Sequence, residues 1–203
     1  MGFFSDDGDS SRFVDEAKQK FGEERYEVGA KGELFMSRGF NTNRLTKDYA
    51  KFTSLSVPAS MTDRSEMKGD IDICLVSGNR VLMIDIKAWN PRYVYWTIPV
   101  LKRPMRGIRP LRKDDSEWAL SKQMELGVER YSKALPQATV KAIVVFAPTN
   151  GQNTVPLSVG LLVFPGGIRS YLARQSYKIA RDFLGEPEAA DPAVTQFLMK
   201  MKR

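Results

Sequence analysis

The chain has 203 residues, with 31 Lys and Arg against 24 Asp and Glu for a formal net charge of +7. At roughly 150 residues per domain this is one main domain with short extensions, and 42% hydrophobic with 27% charged residues suits a folded chain with a sizeable core. Histidine is absent and cysteine occurs once, at Cys74, which excludes Ser-His-Asp and Cys-His nucleophile systems, histidine-built zinc sites, a histidine general base and an internal disulfide.

The single cysteine suits a reducing compartment. The start, Met1-Gly2-Phe3-Phe4-Ser5-Asp6, lacks the basic and apolar regions of a signal peptide. A cytoplasmic protein is therefore expected. The longest apolar runs, 142–147 and 159–164, are too short to span a bilayer, so no membrane partner is expected. The basic surplus favours a polyanionic partner, nucleic acid first.

Residues 5–10 are acidic and rich in Gly and Ser, and read as a loose arm. A short helix is predicted over 13–21. A second helix is predicted over 24–38, stopped by Gly39 as its C-terminal cap. Residues 52–57 read as a strand and 61–68 as a polar loop. Two apolar, β-rich runs follow, 71–76 and 81–87, separated by Ser77-Gly78-Asn79-Arg80; they predict a β-hairpin. Residues 93–98 read as an aromatic-rich strand.

Residues 99–113 contain three prolines and six bases, Lys102, Arg103, Arg106, Arg109, Arg112 and Lys113, with no acid. They read as a loop. Asp114, Asp115 and Ser116 are expected to cap a helix running to about Leu135, with Leu120, Met124, Val128, Tyr131 and Leu135 on its apolar stripe. Strands are predicted at 141–147 and 157–164. Gly166-Gly167 leads into a helix over 168–184, and a last short helix covers about 193–201. The order is α-β-β-β-α-β-β-α, a mixed α/β domain over 23–185, preceded by an arm and short helix (1–22) and followed by a helical tail (186–203).

The hairpin places chemistry on one face. With residues 77–80 as the loop, Val76 lies opposite Val81, and by the same register Asp72 lies opposite Asp85. Directly opposed residues have Cβ atoms about 4.5–5.5 Å apart. Lys87 shares the face of Asp85 by strand alternation. The other faces, Ile71/Ile73/Leu75 and Leu82/Ile84/Ile86, are wholly apolar, so helices should cover the sheet on both sides. Two opposed carboxylates raise a pKa or share a cation. Lys87 can neutralise one; a divalent metal would neutralise both and could activate water and polarise a phosphate.

Glu33, with Gly29 and Ser37 four residues to either side, is expected to face the sheet. Gln123 lies in an apolar stripe and there needs a polar partner. The plainer alternatives are a solvated helix charge for Glu33 and a stripe-edge amide for Gln123. The basic 102–113 segment is a candidate contact for phosphates, or an exposed solvated loop. Tyr93, Tyr95 and Trp96 can stack on bases or serve as core, and Trp89 reads as a lid on the sheet end.

A glutamate on a helix, an aspartate on a strand and Asp85-Ile86-Lys87 on the next resembles the PD-(D/E)xK nuclease superfamily. The strings Lys31-Gly32-Glu33, Gly69-Asp70-Ile71-Asp72 and Val81 to Trp89 are similar to the nuclease-related domain (NERD) family, over roughly 25–150. The resemblance implies a restriction-endonuclease-like mixed sheet flanked by helices and Mg²⁺- or Mn²⁺-dependent cleavage of DNA phosphodiesters. Asp72, Asp85 and the Ile86 carbonyl would be metal ligands and Glu33 an outer one through water. Lys87 would be the base or charge stabiliser, and Gln123 would orient water or phosphate. Asp85 stands where glutamate is commoner. Asp70 is read as an extra acid on the other face, not assigned to the metal.

Competing readings are a catalytically silent nucleic-acid-binding or assembly module on the same fold, and a small-molecule enzyme or structural protein. RNA is not distinguished from DNA. Double-strand cutting by one site per chain would favour a homodimer or larger assembly.

Overall fold

The computed structural model describes residues 23–58, 66–89, 94–98, 103–106, 108–110, 112–113, 117–118, 120–148 and 162–202. The predicted helix over 13–21 lies outside them. Helix α1 (Glu23–Thr42) precedes strands β1 (Ala50–Pro58), β2 (Glu66–Ser77) and β3 (Arg80–Lys87). The short strands β4 (Tyr95–Ile98), β5 (Arg103–Arg106), β6 (Arg109–Pro110), β7 (Arg112–Lys113) and β8 (Glu117–Trp118) come next. Helix α2 (Gln123–Ala134), β9 (Thr139–Phe146), β10 (Val163–Phe164), β11 (Ile168–Leu172), α3 (Ala173–Leu184) and α4 (Pro192–Met201) complete the order.

Six strands form one mixed sheet in the order β1-β2-β3-β9-β11-β10. The β1–β2, β2–β3 and β10–β11 pairs are antiparallel, whereas β3–β9 and β9–β11 are parallel. The β2–β3 turn is tighter than expected. Ser77 pairs with Arg80, leaving Gly78-Asn79 as a two-residue loop, and Gly78 adopts φ 54°. Positive φ at the first loop residue suits the twist of a hairpin and is easy for glycine. The predicted register holds, since a four-residue gap and a two-residue turn share one centre: Val76 pairs with Val81 and Ile73 with Ile84.

Both faces of the hairpin are covered. Met36 and Phe40 of α1 and Ala173, Ala180 and Leu184 of α3 bury Ile73, Leu75, Leu82, Ile84 and Ile86. On the other face, Met124 and Tyr131 of α2 and Val194 and Leu198 of α4 bury Cys74, Val76, Val81 and Met83. Each fully buried aliphatic or aromatic side chain contributes roughly 1.5–3 kcal/mol, so the apolar identity of both hairpin faces drives the three-layer arrangement.

Several elements differ from the sequence reading. Helix α1 runs through Gly39, where a Cβ would collide with the Tyr177 hydroxyl; this glycine provides space for α3 rather than a cap. Residues Glu66 to Lys68 belong to β2, not to a loop. The proline-rich basic segment carries β5, β6 and β7, with β4-β5-β6 forming a separate three-stranded sheet. Helix α2 starts at Gln123, because Glu117–Trp118 pairs with Arg112–Lys113; the expected caps Asp114, Asp115 and Ser116 lie outside the described residues. Residues 168–172 are a strand parallel to β9, so α3 begins at Ala173. Of the strand expected at 157–164, only Val163–Phe164 lies in a described strand. Among the described residues no helix is long and apolar enough to cross a membrane.

Candidate active site

The hairpin opens at one end. Cα pairing between β2 and β3 ends at Ile73↔Ile84, while β2 continues beside β1 through Leu55↔Ile71 and Ser56↔Asp70, and β3 continues beside β9 to Lys87↔Phe146. The two strands of the hairpin therefore part at Asp72 and Asp85. In an antiparallel ladder hydrogen-bonded pairs alternate, so Ile86 would be the next residue of β3 to bond main chain to main chain. Its N–H instead donates to Asp72 Oδ2 at 2.5 Å. The Asp72 carboxylate satisfies the backbone group that the fork exposes. Opposite Asp72 in register, Ser54 has φ 55°, the only non-glycine with positive φ among the described residues. Such local strain concentrates at functional sites.

Asp85 is 5% exposed, and its Oδ1 accepts a hydrogen bond from Lys87 Nζ at 2.8 Å. The pair forms because alternation puts both side chains on one face. Glu33 reaches the same end from α1. Its neighbour Gly32 is the point of closest approach: a Cβ there would lie 3.2 Å from the Cβ atoms of both Ala88 and Ala147. Glu33 keeps an exposed surface, yet its carboxyl interacts with Lys87, Asp85 and Asp70 at the fork; a Cβ on Gly29 would meet nothing.

The charges are strongly interdependent. The Asp72 carboxyl is pushed well above the usual carboxylate range by burial, then by Asp85 and Glu33, against the opposing Ile86 N–H and Lys87. Desolvation of its carboxyl also raises Glu33, opposed by Lys87 and reinforced by Asp85 and Asp70. For Lys87, burial is the largest influence and favours loss of the proton, but Asp85, Asp72 and Glu33 together hold its pKa above the ordinary value. Lys87 is thus held as an ammonium among three carboxyls.

Gln123, the first residue of α2, donates its side-chain amide to the Asp70 carbonyl. It ties α2 to β2 beside the fork and is not directed at open solvent. The expected Ile71/Ile73/Leu75 face breaks at Asp72: Ile71 packs with Cys74 and Val76 on the α2 side, whereas Ile73 and Leu75 pack on the α1 side, next to Ser54 with its positive φ. Trp89 caps the end of β3 as expected, packing at 4.7 Å from Tyr95 and 5.0 Å from Phe146 by ring centroids. Tyr95 is core, 4% exposed; Trp96 is half-buried, and Tyr93 lies outside the described residues.

Of the basic residues, Arg106 pairs with Arg109 across β5–β6 and both are exposed. The backbones of Arg103, Arg112 and Lys113 lie in short strands, and Lys102 lies outside the described residues. The polar feature missed by sequence reasoning is Ser54, which gives no sequence signal.

Among the described residues no three His, Cys, Asp or Glu side chains are gathered closely enough to hold a metal ion. The donors at the fork are two aspartates and, on the same side of β3 as the Ile86 N–H, the Ile86 carbonyl. This all-oxygen set fits Mg²⁺, which uses one or two carboxylates and keeps water or phosphate in its remaining positions. No protein-family model matches the chain, and no curated protein matches it significantly.

Proposed function

We propose that this chain is a metal-dependent DNA endonuclease of the PD-(D/E)xK type, in line with its resemblance to the nuclease-related domain family. The observation that carries the reading is the fork itself, where Asp72 on the Ile86 N–H stands beside the Asp85–Lys87 pair. The order of α1 with Glu33, the β2–β3 hairpin, α2 with Gln123 and β9 parallel to β3 supports a restriction-endonuclease-like core. The +7 charge and six bases between 102 and 113 support a nucleic-acid substrate.

Asp72, Asp85 and the Ile86 carbonyl would hold Mg²⁺ or Mn²⁺, and Glu33 would act from outside that set through water. The bound ion would polarise the scissile phosphate and lower the pKa of an attacking water. Lys87, held protonated by its neighbours, stabilises the negative charge that develops on the phosphate. That favours the charge-stabilising role over the general-base role. Gln123 acts by positioning β2 through the Asp70 carbonyl. Trp89, Tyr95 and Phe146 pack together at the end of β3 next to Lys87, and an apolar neighbourhood strengthens the interaction of an ammonium with anions.

Plasmid and single-stranded DNA are incubated with Mg²⁺, Mn²⁺ or EDTA, alongside Asp85→Ala. Metal-dependent cutting that disappears in the variant is expected. Metal-independent DNA binding without cutting would replace the proposal with a catalytically silent module; cutting retained by Asp85→Ala would refute the site.

A further inference from the structure

The β4-β5-β6 sheet carries buried and exposed residues side by side at one end. Tyr95 and Met105 are 4% and 8% exposed, and the Tyr95 ring lies 4.7 Å from that of Trp89, two residues after Lys87. Tyr95 pairs with Arg106 and Arg106 with Arg109; both arginines are exposed, and Ile108 between them is 93% exposed. Met105 pairs with Pro110 and Arg106 with Arg109, so only two residues of the sequence, Gly and Ile, separate the paired arginines. Isolated exposed apolar residues are common on protein surfaces. This one sits between two paired arginines, in a 12-residue stretch with six bases and no acid, beside the aromatic cluster that caps the end of β3.

That combination has a defined use in nucleic-acid recognition. Arginines enter a narrow minor groove, and an apolar side chain at the apex inserts between base steps and kinks the duplex. We propose that the β5–β6 hairpin is a DNA-bending arm, with Ile108 as the wedge and Arg106 and Arg109 as the minor-groove and phosphate contacts. The inference rests on nucleic acid being the substrate and makes that substrate duplex DNA at a deformable step. Bending beside the fork would present one strand to Asp85 and Lys87. An anionic lipid surface is the competing partner for a tip of this chemistry.

The test separates bending from cleavage. A duplex of about 30 base pairs containing a central TA step, a length and step suited to bending, carries a fluorophore at each end, and energy transfer is measured in EDTA, so that nothing is cut. The wild-type protein is expected to raise transfer on binding. Ile108→Ser should abolish that rise while leaving the salt dependence of binding unchanged. Arg106→Ala and Arg109→Ala should each reduce the slope of log affinity against log salt by about one. Since Ile108 is almost wholly exposed, its variant should fold, which a thermal melt checks.

Undiminished bending by Ile108→Ser would overturn the proposal, as would absence of duplex binding. Binding of phosphatidylserine vesicles lost in Ile108→Ser, without duplex binding, would assign the tip to a lipid surface. Bending by a protein that cuts no DNA with any metal would support the arm and overturn only the nuclease reading.

Discussion

The two ends of the β2–β3 hairpin follow opposite rules. At the turn, every polar group named has a neutral partner from the surrounding chain. Ser77 Oγ donates to the Glu186 carbonyl at 2.8 Å and accepts from Glu188 N–H at 3.1 Å. The Gly78 carbonyl accepts from Asp191 N–H at 2.8 Å, and Asn79 Nδ2 donates to the Gln137 carbonyl at 2.9 Å. At the fork, acids accumulate around one ammonium, and an aspartate substitutes for a main-chain partner. The closed end is tied down by the segment entering α4. The open end carries surplus negative charge that is relieved only by a proton or a cation.

This contrast predicts a separation of activity from stability. The largest effect belongs to the fork: Lys87→Ala is expected to lower the cleavage rate by about 10²–10³-fold, measured under single-turnover conditions with saturating Mg²⁺. A variant as active as wild type would remove Lys87 from the chemistry. The next effect belongs to the turn. Ser77→Ala leaves a carbonyl and an N–H without this partner in a residue environment only 3% exposed, and should cost about 1–2 kcal/mol in urea unfolding. Cleavage per folded molecule should not change; a matching loss of specific activity would mean that the two ends are coupled.

The smallest effect concerns pH. Because the folded pKa of Asp72 lies above the unfolded one, its contribution favours the folded state below the unfolded value. That stability is lost as pH rises through the folded value. The metal-free protein should therefore lose stability on going from acid toward neutral pH through this group, and Glu33, shifted in the same direction, adds to the loss. Asp72→Asn keeps an acceptor for the Ile86 N–H and removes the titration. At neutral pH in EDTA it should gain about 1 kcal/mol, or 2–4 °C in Tm, with a flatter pH profile and no cleavage. Thermal melts across pH 5–8 check this; an unchanged profile would show that Asp72 carries no electrostatic burden.

Much of the fork was legible in the sequence. Strand alternation and a turn centred on Gly78-Asn79 were enough to place Asp72 toward Asp85 and to put Lys87 beside it. The splay could not be read, since it depends on β2 remaining with β1 while β3 follows β9, a competition between distant partners. The basic segment reads as a loop because Pro104 and Pro110 argue against strands, yet proline is tolerated in short ribbons with few ladder bonds. Residues 168–172 merge with the helix in the sequence because Ile168, Tyr171 and Leu172 fit a helical period as well as a strand. Gly39 reads as a stop because glycine commonly ends helices, and only the approach of Tyr177 reveals its other use. The small-residue stripe around Glu33 points to the right end of the sheet, but the close approach is made by Gly32 and not by Gly29.

The tight turn also has a consequence for how the chain finds its fold. Asp72, Asp85 and Lys87 all lie within one local hairpin, a unit of the kind that forms in microseconds. Glu33, the arginine arm and the parallel partner β9 require long loop closures and arrive later. The reactive cluster is thus set by the count of residues in a two-residue turn. One residue inserted there would slip the register, turn Asp85 and Lys87 toward α1, and place Ile84 and Ile86 where the acids had been.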